Sequence, residues 1–163
     1  IEAASDGLGE GACFAVRLAT TKARPARASR STAVGTLSGA RGPVSILLVE
    51  DDADTADAMQ LLLSDSGFEV HVARTVAEAE EAFRLHPTDV LVSDVGLPDG
   101  SGLEVLGRLR VLRSDLPGIV LSGYGMEQDV AASRANGFAE HFIKPVNFDR
   151  LIAAIDRLAS VSG

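Results

Sequence analysis

The hydrophobic positions beyond residue 43 form short apolar runs that alternate with longer amphipathic stretches. Five runs predict strands, at residues 46–49, 70–72, 90–92, 119–121 and 142–143. The run at 90–92 is almost entirely apolar and rich in β-branched residues. This composition favours a strand buried on both faces, as in a parallel sheet with helices on each side.

The amphipathic stretches predict five helices, at residues 54–66, 75–86, 102–113 and 127–136 and from about residue 148 onward. Gly67 is placed to end the first helix, and Thr75 with Glu78 forms a capping box that opens the second. Five strands alternating with five helices predict an α/β fold with a parallel sheet and right-handed crossovers.

The first 43 residues differ from the rest. A glycine-rich turn followed by alternating Phe14, Val16 and Leu18 predicts a half-buried strand within residues 1–18, for which no partner strand is predicted. Residues 19–43 have the composition of a flexible linker, and residues 44–163 suffice for one domain. The chain begins with Ile1, so we expect it to be a piece of a longer protein.

Composition restricts the class of protein. Hydrophobic residues make up 46% of the chain and charged residues 23%, as in soluble globular proteins. No membrane span or signal peptide is predicted, and the single Cys13 excludes an internal disulfide framework. These features favour the cytoplasm and no membrane contact by this fragment. A longer parent chain could still be attached to a membrane through other segments.

Charge is distributed unevenly. Residues 1–43 carry a net charge of +3 and residues 44–163 a net charge of −11. The basic residues of the first segment have no interleaved aromatics, which favours a solvated linker over a binding patch. Because nucleic-acid binding requires neutralisation of phosphates, the acidic domain is not expected to contact nucleic acid directly.

Polar side chains follow four of the predicted strands, and the carboxyl ends of parallel strands share one edge of the sheet. They are Glu50, Asp51 and Asp52 after the first strand, Asp94 after the third, Ser122 after the fourth and Lys144 after the fifth. Clustered carboxylates attract a cation, and oxygen ligands suit Mg²⁺. The plainer alternatives are that Asp94 caps a turn and that Lys144 is an ordinary exposed lysine.

Four motifs resemble the receiver domain of two-component response regulators, and the resemblance covers residues 44–160. They are Leu-Leu-Val-Glu-Asp-Asp at 47–52, Ser-Asp-Val-Gly-Leu-Pro-Asp-Gly-Ser-Gly at 93–102, Leu-Ser-Gly at 121–123 and Lys-Pro at 144–145. The resemblance implies a flavodoxin-like (CheY-like) doubly wound five-stranded parallel sheet, with strand order 2-1-3-4-5 and five helices.

The resemblance also implies a Mg²⁺ site beside a phosphoacceptor. Asp94 would take the phosphoryl group. Asp51 would bind Mg²⁺ directly, Glu50 would do so chiefly through water, and Asp94 and the backbone carbonyl of Gly96 would complete the ligand set. Asp52 is a common neighbour of these residues in the family but is not itself a ligand.

The remaining implied roles concern the phosphoryl group and the response to it. Ser122 would donate to a phosphoryl oxygen, and Lys144 would pair with Asp94 and then with the phosphoryl group. The Lys144–Pro145 peptide is usually cis in the family. The switch position, usually Tyr or Phe, falls on His141. Either an ordinary core or edge histidine or a pH-responsive switch would account for this imidazole.

The function implied is a phosphorelay step in which a histidine kinase or a histidine phosphotransfer domain donates its phosphoryl group to Asp94. The fragment alone is not expected to be a kinase. Residues 7–18 resemble the closing strand of the ATP-binding domain of sensor histidine kinases. A carboxyl-terminal receiver of a hybrid histidine kinase is therefore favoured over a stand-alone response regulator.

Two other classes of protein share the predicted fold. A Mg²⁺-dependent phosphatase with an aspartate nucleophile needs a general acid two residues after it, where this chain has Gly96. A flavin-binding module is a third possibility, but acidic residues occupy the loop after the first strand, where such modules bind phosphate. Both alternatives are weaker than the receiver.

Overall fold

The computed structural model describes residues 2–4, 13–15, 42–123 and 137–161. The chain divides into two compact units, Ile1–Gly39 and Ala40–Gly163. In the first unit, β1 (Glu2–Ala4) pairs antiparallel with β2 (Cys13–Ala15). A strand at Phe14 was therefore predicted correctly, but the expectation that it lacks a partner was wrong. Its partner is a short segment without an alternating apolar pattern.

The second unit alternates strands and helices. In chain order they are β3 (Ser45–Val49), α1 (Ala53–Asp65), β4 (Glu69–Ala73), α2 (Val76–Leu85), β5 (Val90–Asp94), β6 (Gly96–Leu97), β7 (Gly100–Ser101), α3 (Gly102–Leu112), β8 (Gly118–Ser122), β9 (Glu140–Ile143) and α4 (Phe148–Val161). Five parallel strands form one sheet in the order β4-β3-β5-β8-β9. Counted along the chain, this is the predicted order 2-1-3-4-5.

Hydrophobic residues of the central strands alternate between two cores, one on each face of the sheet. In β3, Ile46 and Leu48 pack into the core that α1 and α4 complete. Leu47 and Val49 pack into the second core, which α2 and α3 complete. All five residues of β3 are buried, as expected for a central parallel strand covered on both faces. The doubly wound architecture is thus confirmed.

Side chains close to the helix ends satisfy backbone groups as the sequence suggested. Thr75 accepts a hydrogen bond from the Glu78 backbone N–H at 3.0 Å. The reciprocal bond of the predicted capping box differs, since the Glu78 carboxylate accepts from the Arg74 N–H at 2.8 Å. Gly67, with φ of 97°, follows α1 in the left-handed conformation that glycine adopts at low cost.

One further difference from the prediction lies directly after Asp94. No strand was predicted at residues 96–101, which form a short antiparallel hairpin, β6–β7. The predicted helix at 127–136 lies outside the described residues. Within the described residues there are four helices rather than five.

Gly102 allows α3 to begin against the end of β5. Its N–H donates to the carbonyl of Val95 at 2.9 Å. A Cβ added at Gly102 would lie 2.2 Å from the Asp94 carbonyl oxygen and 2.7 Å from Ser93 Oγ. Both neighbours belong to a buried strand that has little room to move, so this position requires glycine for steric reasons.

We predict that Gly102→Ala lowers the free energy of unfolding by about 1–3 kcal/mol, the usual cost of overpacking a tight site. Gly107→Ala on the same helix is the matched control, because Gly107 is exposed and, apart from the nearby backbone of its own helix, no heavy atom of the described residues lies within 4 Å of its added Cβ. The control should be stabilised by about 0.5–1 kcal/mol. Urea unfolding measures both, and equal effects would contradict the steric argument.

Candidate functional site

The predicted site residues are positioned by extensions of the sheet. Glu50 follows β3, and its N–H donates to the Ala73 carbonyl at 3.0 Å. Asp94 is the last residue of β5. Lys144 follows β9, and its N–H donates to the Ser122 carbonyl at 2.7 Å. The hydrogen-bonded ladder therefore continues to these residues at the carboxyl edge of the sheet.

The Lys144 ammonium joins two of the carboxylates. Its Nζ donates to Asp94 Oδ2 at 2.6 Å and to Glu50 Oε2 at 2.7 Å. The Asp94 side chain is 17% exposed and that of Glu50 only 2%. Burial lowers the pKa of Lys144, but its hydrogen bonds to Asp94 and Glu50 outweigh that effect, and the pKa is raised. Lys144 therefore remains an ammonium.

Burial raises the pKa of Glu50 above its ordinary value of 4.5, even though the bond from Lys144 opposes the increase. The charges of Asp94 and Asp51 add to it. A raised pKa in the folded state means that protonated Glu50 stabilises the fold at low pH and that this contribution is lost as pH rises. At neutral pH the cluster favours a cation.

Glu50, Asp51 and Asp94 form the candidate cation site. Each offers one carboxylate oxygen, and these oxygens lie within 4.8 Å of one another. Of these three ligands Glu50 is buried and Asp51 is exposed. A cation held between them would therefore be accessible to water on the Asp51 side. Hard oxygen donors with accessible water are what Mg²⁺ requires, so the residues present fit that ion.

The two predicted switch residues contact each other directly. Ser122 Oγ lies 2.6 Å from His141 Nε2 in a hydrogen bond. Ser122, the last residue of β8, is only 1% exposed, so it is buried at the carboxyl edge of the sheet. Gly96, two residues after Asp94, begins β6 and pairs with Ser101 of β7. The Lys144–Pro145 peptide is cis, as the sequence resemblance implied.

A comparison with known families agrees with this geometry, because the model of the response regulator receiver domain matches residues 46–156. The chain belongs to this family. An uncharacterized 14.6 kDa protein in the sodA1 3′ region of Leptolyngbya boryana is 37% identical over 116 residues, covering 70% of this chain and 88% of that protein. The cell cycle transcriptional regulator CtrA of Caulobacter vibrioides is 34% identical over 110 residues, covering 68% of this chain and 48% of CtrA.

Solved structures show the same fold for the receiver domain. The response regulator TrrA of Thermotoga maritima, in complex with Mg²⁺ and BeF, is 30% identical with a TM-score of 0.63. The match covers 71% of this chain and 98% of that one. The chain spans about half the length of the CtrA regulators it matches. None of the helices in the described residues has the length and hydropathy to cross a membrane.

Asp52 of the receiver domain serves α1 instead of the carboxylate cluster. Its Oδ1 accepts the Thr55 N–H at 2.9 Å, which satisfies a backbone donor in the first turn of α1. The hydrogen bonding with Thr55 lowers the pKa of Asp52. Of the three consecutive acidic residues, the structure therefore brings two to the candidate cation site and gives the third a capping role.

One residue of the receiver domain that the sequence analysis missed is Asp99, at the tip of the β6–β7 hairpin. Its Oδ1 accepts the Val76 N–H at 2.8 Å, and its Oδ2 accepts the Ala77 N–H at 3.2 Å. The Val76 bond is the main reason that the pKa of Asp99 is lowered. The sequence shows only an aspartate in a turn, because its partners lie 22 and 23 residues away.

We predict that Asp51→Asn leaves the thermal midpoint unchanged or higher in the absence of Mg²⁺, because it removes one charge from a repelling cluster. A ligand at about ten times its Kd stabilises the folded state by about 1.4 kcal/mol, which raises the midpoint of a small domain by several degrees. The wild type should show this Mg²⁺-dependent increase in a thermal melt, and Asp51→Asn should not.

Asp57→Asn is the matched control for this prediction, since it neutralises an exposed carboxylate of α1 that lies outside the cluster. It should keep the full response to Mg²⁺. An undiminished response in Asp51→Asn would show that Asp51 is not a ligand.

Proposed function

We propose that this receiver domain accepts a phosphoryl group from a phosphohistidine onto Asp94. The observation that carries the proposal is the ion pair of Asp94 with Lys144 at 2.6 Å, next to the carboxylates of Glu50 and Asp51. This arrangement pairs the Asp94 carboxylate with an ammonium, which lies where negative charge collects in phosphoryl transfer.

The proposed reaction needs no protein base. An Asp94 carboxylate oxygen attacks phosphorus, the P–N bond breaks, and the donor imidazole leaves with its electron pair. Lys144 stays beside the new phosphoryl group, and the Ser122 hydroxyl donates to one of its oxygens. Mg²⁺ held by Glu50, Asp51, Asp94 and the Gly96 carbonyl would neutralise charge on the phosphoryl oxygens. The complex of the related TrrA with Mg²⁺ and BeF supports this choice of ion.

The proposed phosphodonor is a histidine kinase or a histidine phosphotransfer domain. Beside Lys144 lies a groove of about 430 Å³ between α1 and the start of α4. Its apolar lining includes Ala58, Met59, Val146 and Phe148. A donor seated in this groove lies next to Lys144, which supports delivery of the phosphohistidine from this side.

For the whole protein we propose a hybrid histidine kinase. Residues 1–18 would be the end of its ATP-binding domain, residues 19–43 a flexible linker and residues 44–163 the receiver. The support is the glycine-rich segment that precedes Phe14, together with the antiparallel pairing of β1 and β2. A stand-alone response regulator fits the receiver equally well. A kinase core with a phosphoacceptor histidine in the coding sequence upstream of Ile1 would distinguish the two.

The test of the phosphoacceptor is intact-mass analysis after incubation with Mg²⁺ and acetyl phosphate. The wild type should gain the mass of one phosphoryl group, and Asp94→Asn should gain none because an amide is a poor nucleophile. Asp89→Asn is the control, since that carboxylate hydrogen-bonds Ser45 at the other end of the sheet. It should label like the wild type. Full labelling of Asp94→Asn would overturn the assignment.

A second prediction concerns His141, whose role as a switch residue we also propose. A neutral imidazole can accept the single hydroxyl proton of Ser122, whereas an imidazolium can only donate and leaves that proton to the phosphoryl group. At pH 8, His141→Phe should therefore bind the phosphoryl mimic beryllofluoride more tightly than the wild type. The difference should shrink as pH falls far enough to protonate His141.

The measurement is a beryllofluoride titration followed by NMR at several pH values. The Phe variant keeps every carboxylate of the site, so it corrects for their titration. Ser122→Ala should lose the same dependence on His141 as the Phe variant, but it should bind beryllofluoride more weakly than that variant because it also lacks the hydroxyl donor. If wild type and His141→Phe show the same dependence on pH, His141 does not compete for the Ser122 hydroxyl.

A further inference from the structure

The β6–β7 hairpin carries Gly96, whose carbonyl is the one backbone group proposed to hold Mg²⁺. Each strand has two residues, and Pro98 and Asp99 form the turn between Leu97 and Gly100. A two-stranded hairpin of this length is not stable by itself in water. Its position must therefore be set by contacts with the rest of the domain.

The base of the hairpin is held by the sheet. The Val95 N–H donates to the Leu121 carbonyl of β8 at 2.9 Å, and the Gly102 N–H donates back to Val95 at 2.9 Å. These bonds hold Val95 and Gly102, the two ends of the hairpin. They do not determine the tilt of the hairpin relative to the sheet. The direction of the Gly96 carbonyl depends on that tilt.

The tip of the hairpin is held by α2. Asp99 accepts from both Val76 and Ala77, whose N–H groups have no acceptor within the first turn of the helix. A carboxylate at a helix amino terminus is also favoured by the helix dipole. Gly100 packs closely there, since an added Cβ would lie 2.9 Å from Val76 Cγ2 and 2.6 Å from Glu104 Oε2.

We propose that Asp99 is a positioning residue for the cation site. By clamping the hairpin tip to the amino terminus of α2, it orients the Gly96 carbonyl toward the carboxylates of Asp51 and Asp94. The inference rests on the proposed function, because Gly96 is a ligand only if the site binds Mg²⁺. Binding couplings are reciprocal, so Mg²⁺ in turn stabilises the Asp99 contacts with α2.

The test compares Asp99→Ala with Thr75→Ala by NMR titration with Mg²⁺. Thr75 caps the same helix by accepting the Glu78 N–H, and among the described residues no hydrogen bond joins its side chain to the hairpin. Both variants should lose some stability. Only Asp99→Ala should weaken Mg²⁺ binding, by up to about tenfold, as is common when a residue that orients a ligand is removed. Asp99→Asn keeps one acceptor oxygen and should fall between Asp99→Ala and the wild type.

Two further measurements separate positioning from general destabilisation. The acetyl phosphate labelling rate of Asp99→Ala should approach that of the wild type at saturating Mg²⁺. In the wild type, Mg²⁺ should slow hydrogen exchange at the Val76 and Ala77 amides, and this protection should be lost in Asp99→Ala.

Unchanged Mg²⁺ affinity in Asp99→Ala and Asp99→Asn would overturn the inference, and so would an equal loss of affinity in Thr75→Ala. If the wild type itself binds no Mg²⁺ and takes no label from acetyl phosphate, the proposed function fails instead. The titration of the unsubstituted protein therefore tells the two failures apart.

Discussion

The site depends on one electrostatic constraint, which is the placement of several carboxylates around the Lys144 ammonium at the edge of a parallel sheet. Glu50 is almost fully buried, and burial raises its pKa while the Lys144 bond opposes the rise. Lys144 bonds Glu50 and Asp94 together. The cluster remains rich in negative charge, so it favours an added cation.

The rest of the domain holds this unfavourable arrangement in place. Hydrophobic residues on both faces of β3 and β5 anchor the strands from which Glu50 and Asp94 extend. Gly102 lets α3 begin against the Asp94 carbonyl, which fixes the backbone on the other side of Asp94. The two hydrophobic cores thus stabilise the domain enough to tolerate the repulsion among the clustered carboxylates. Such opposition between local function and stability is common in proteins.

The strands, the residues that follow them and the helix ends could be predicted from the sequence, because they depend on local patterns of residues. Apolar runs located the five strands of the main sheet, and the first residues after them supplied Glu50, Asp94 and Lys144. The ends of α1, α2 and α3 were predicted within one or two residues, since capping is decided largely by neighbours in sequence. The chemical roles of these residues stay predictions, whereas their convergence at one edge is observed.

The sequence alone determined the fold class, the strand order through its family resemblance, and which polar residues reach the carboxyl edge. Tertiary structure alone decided how those residues pair. The Asp99 bonds to α2 and the Ser122 contact with His141 join residues that are 19 or more positions apart in sequence. Such contacts depend on packing distances and side-chain directions that no local pattern encodes, because they arise only once the elements are assembled.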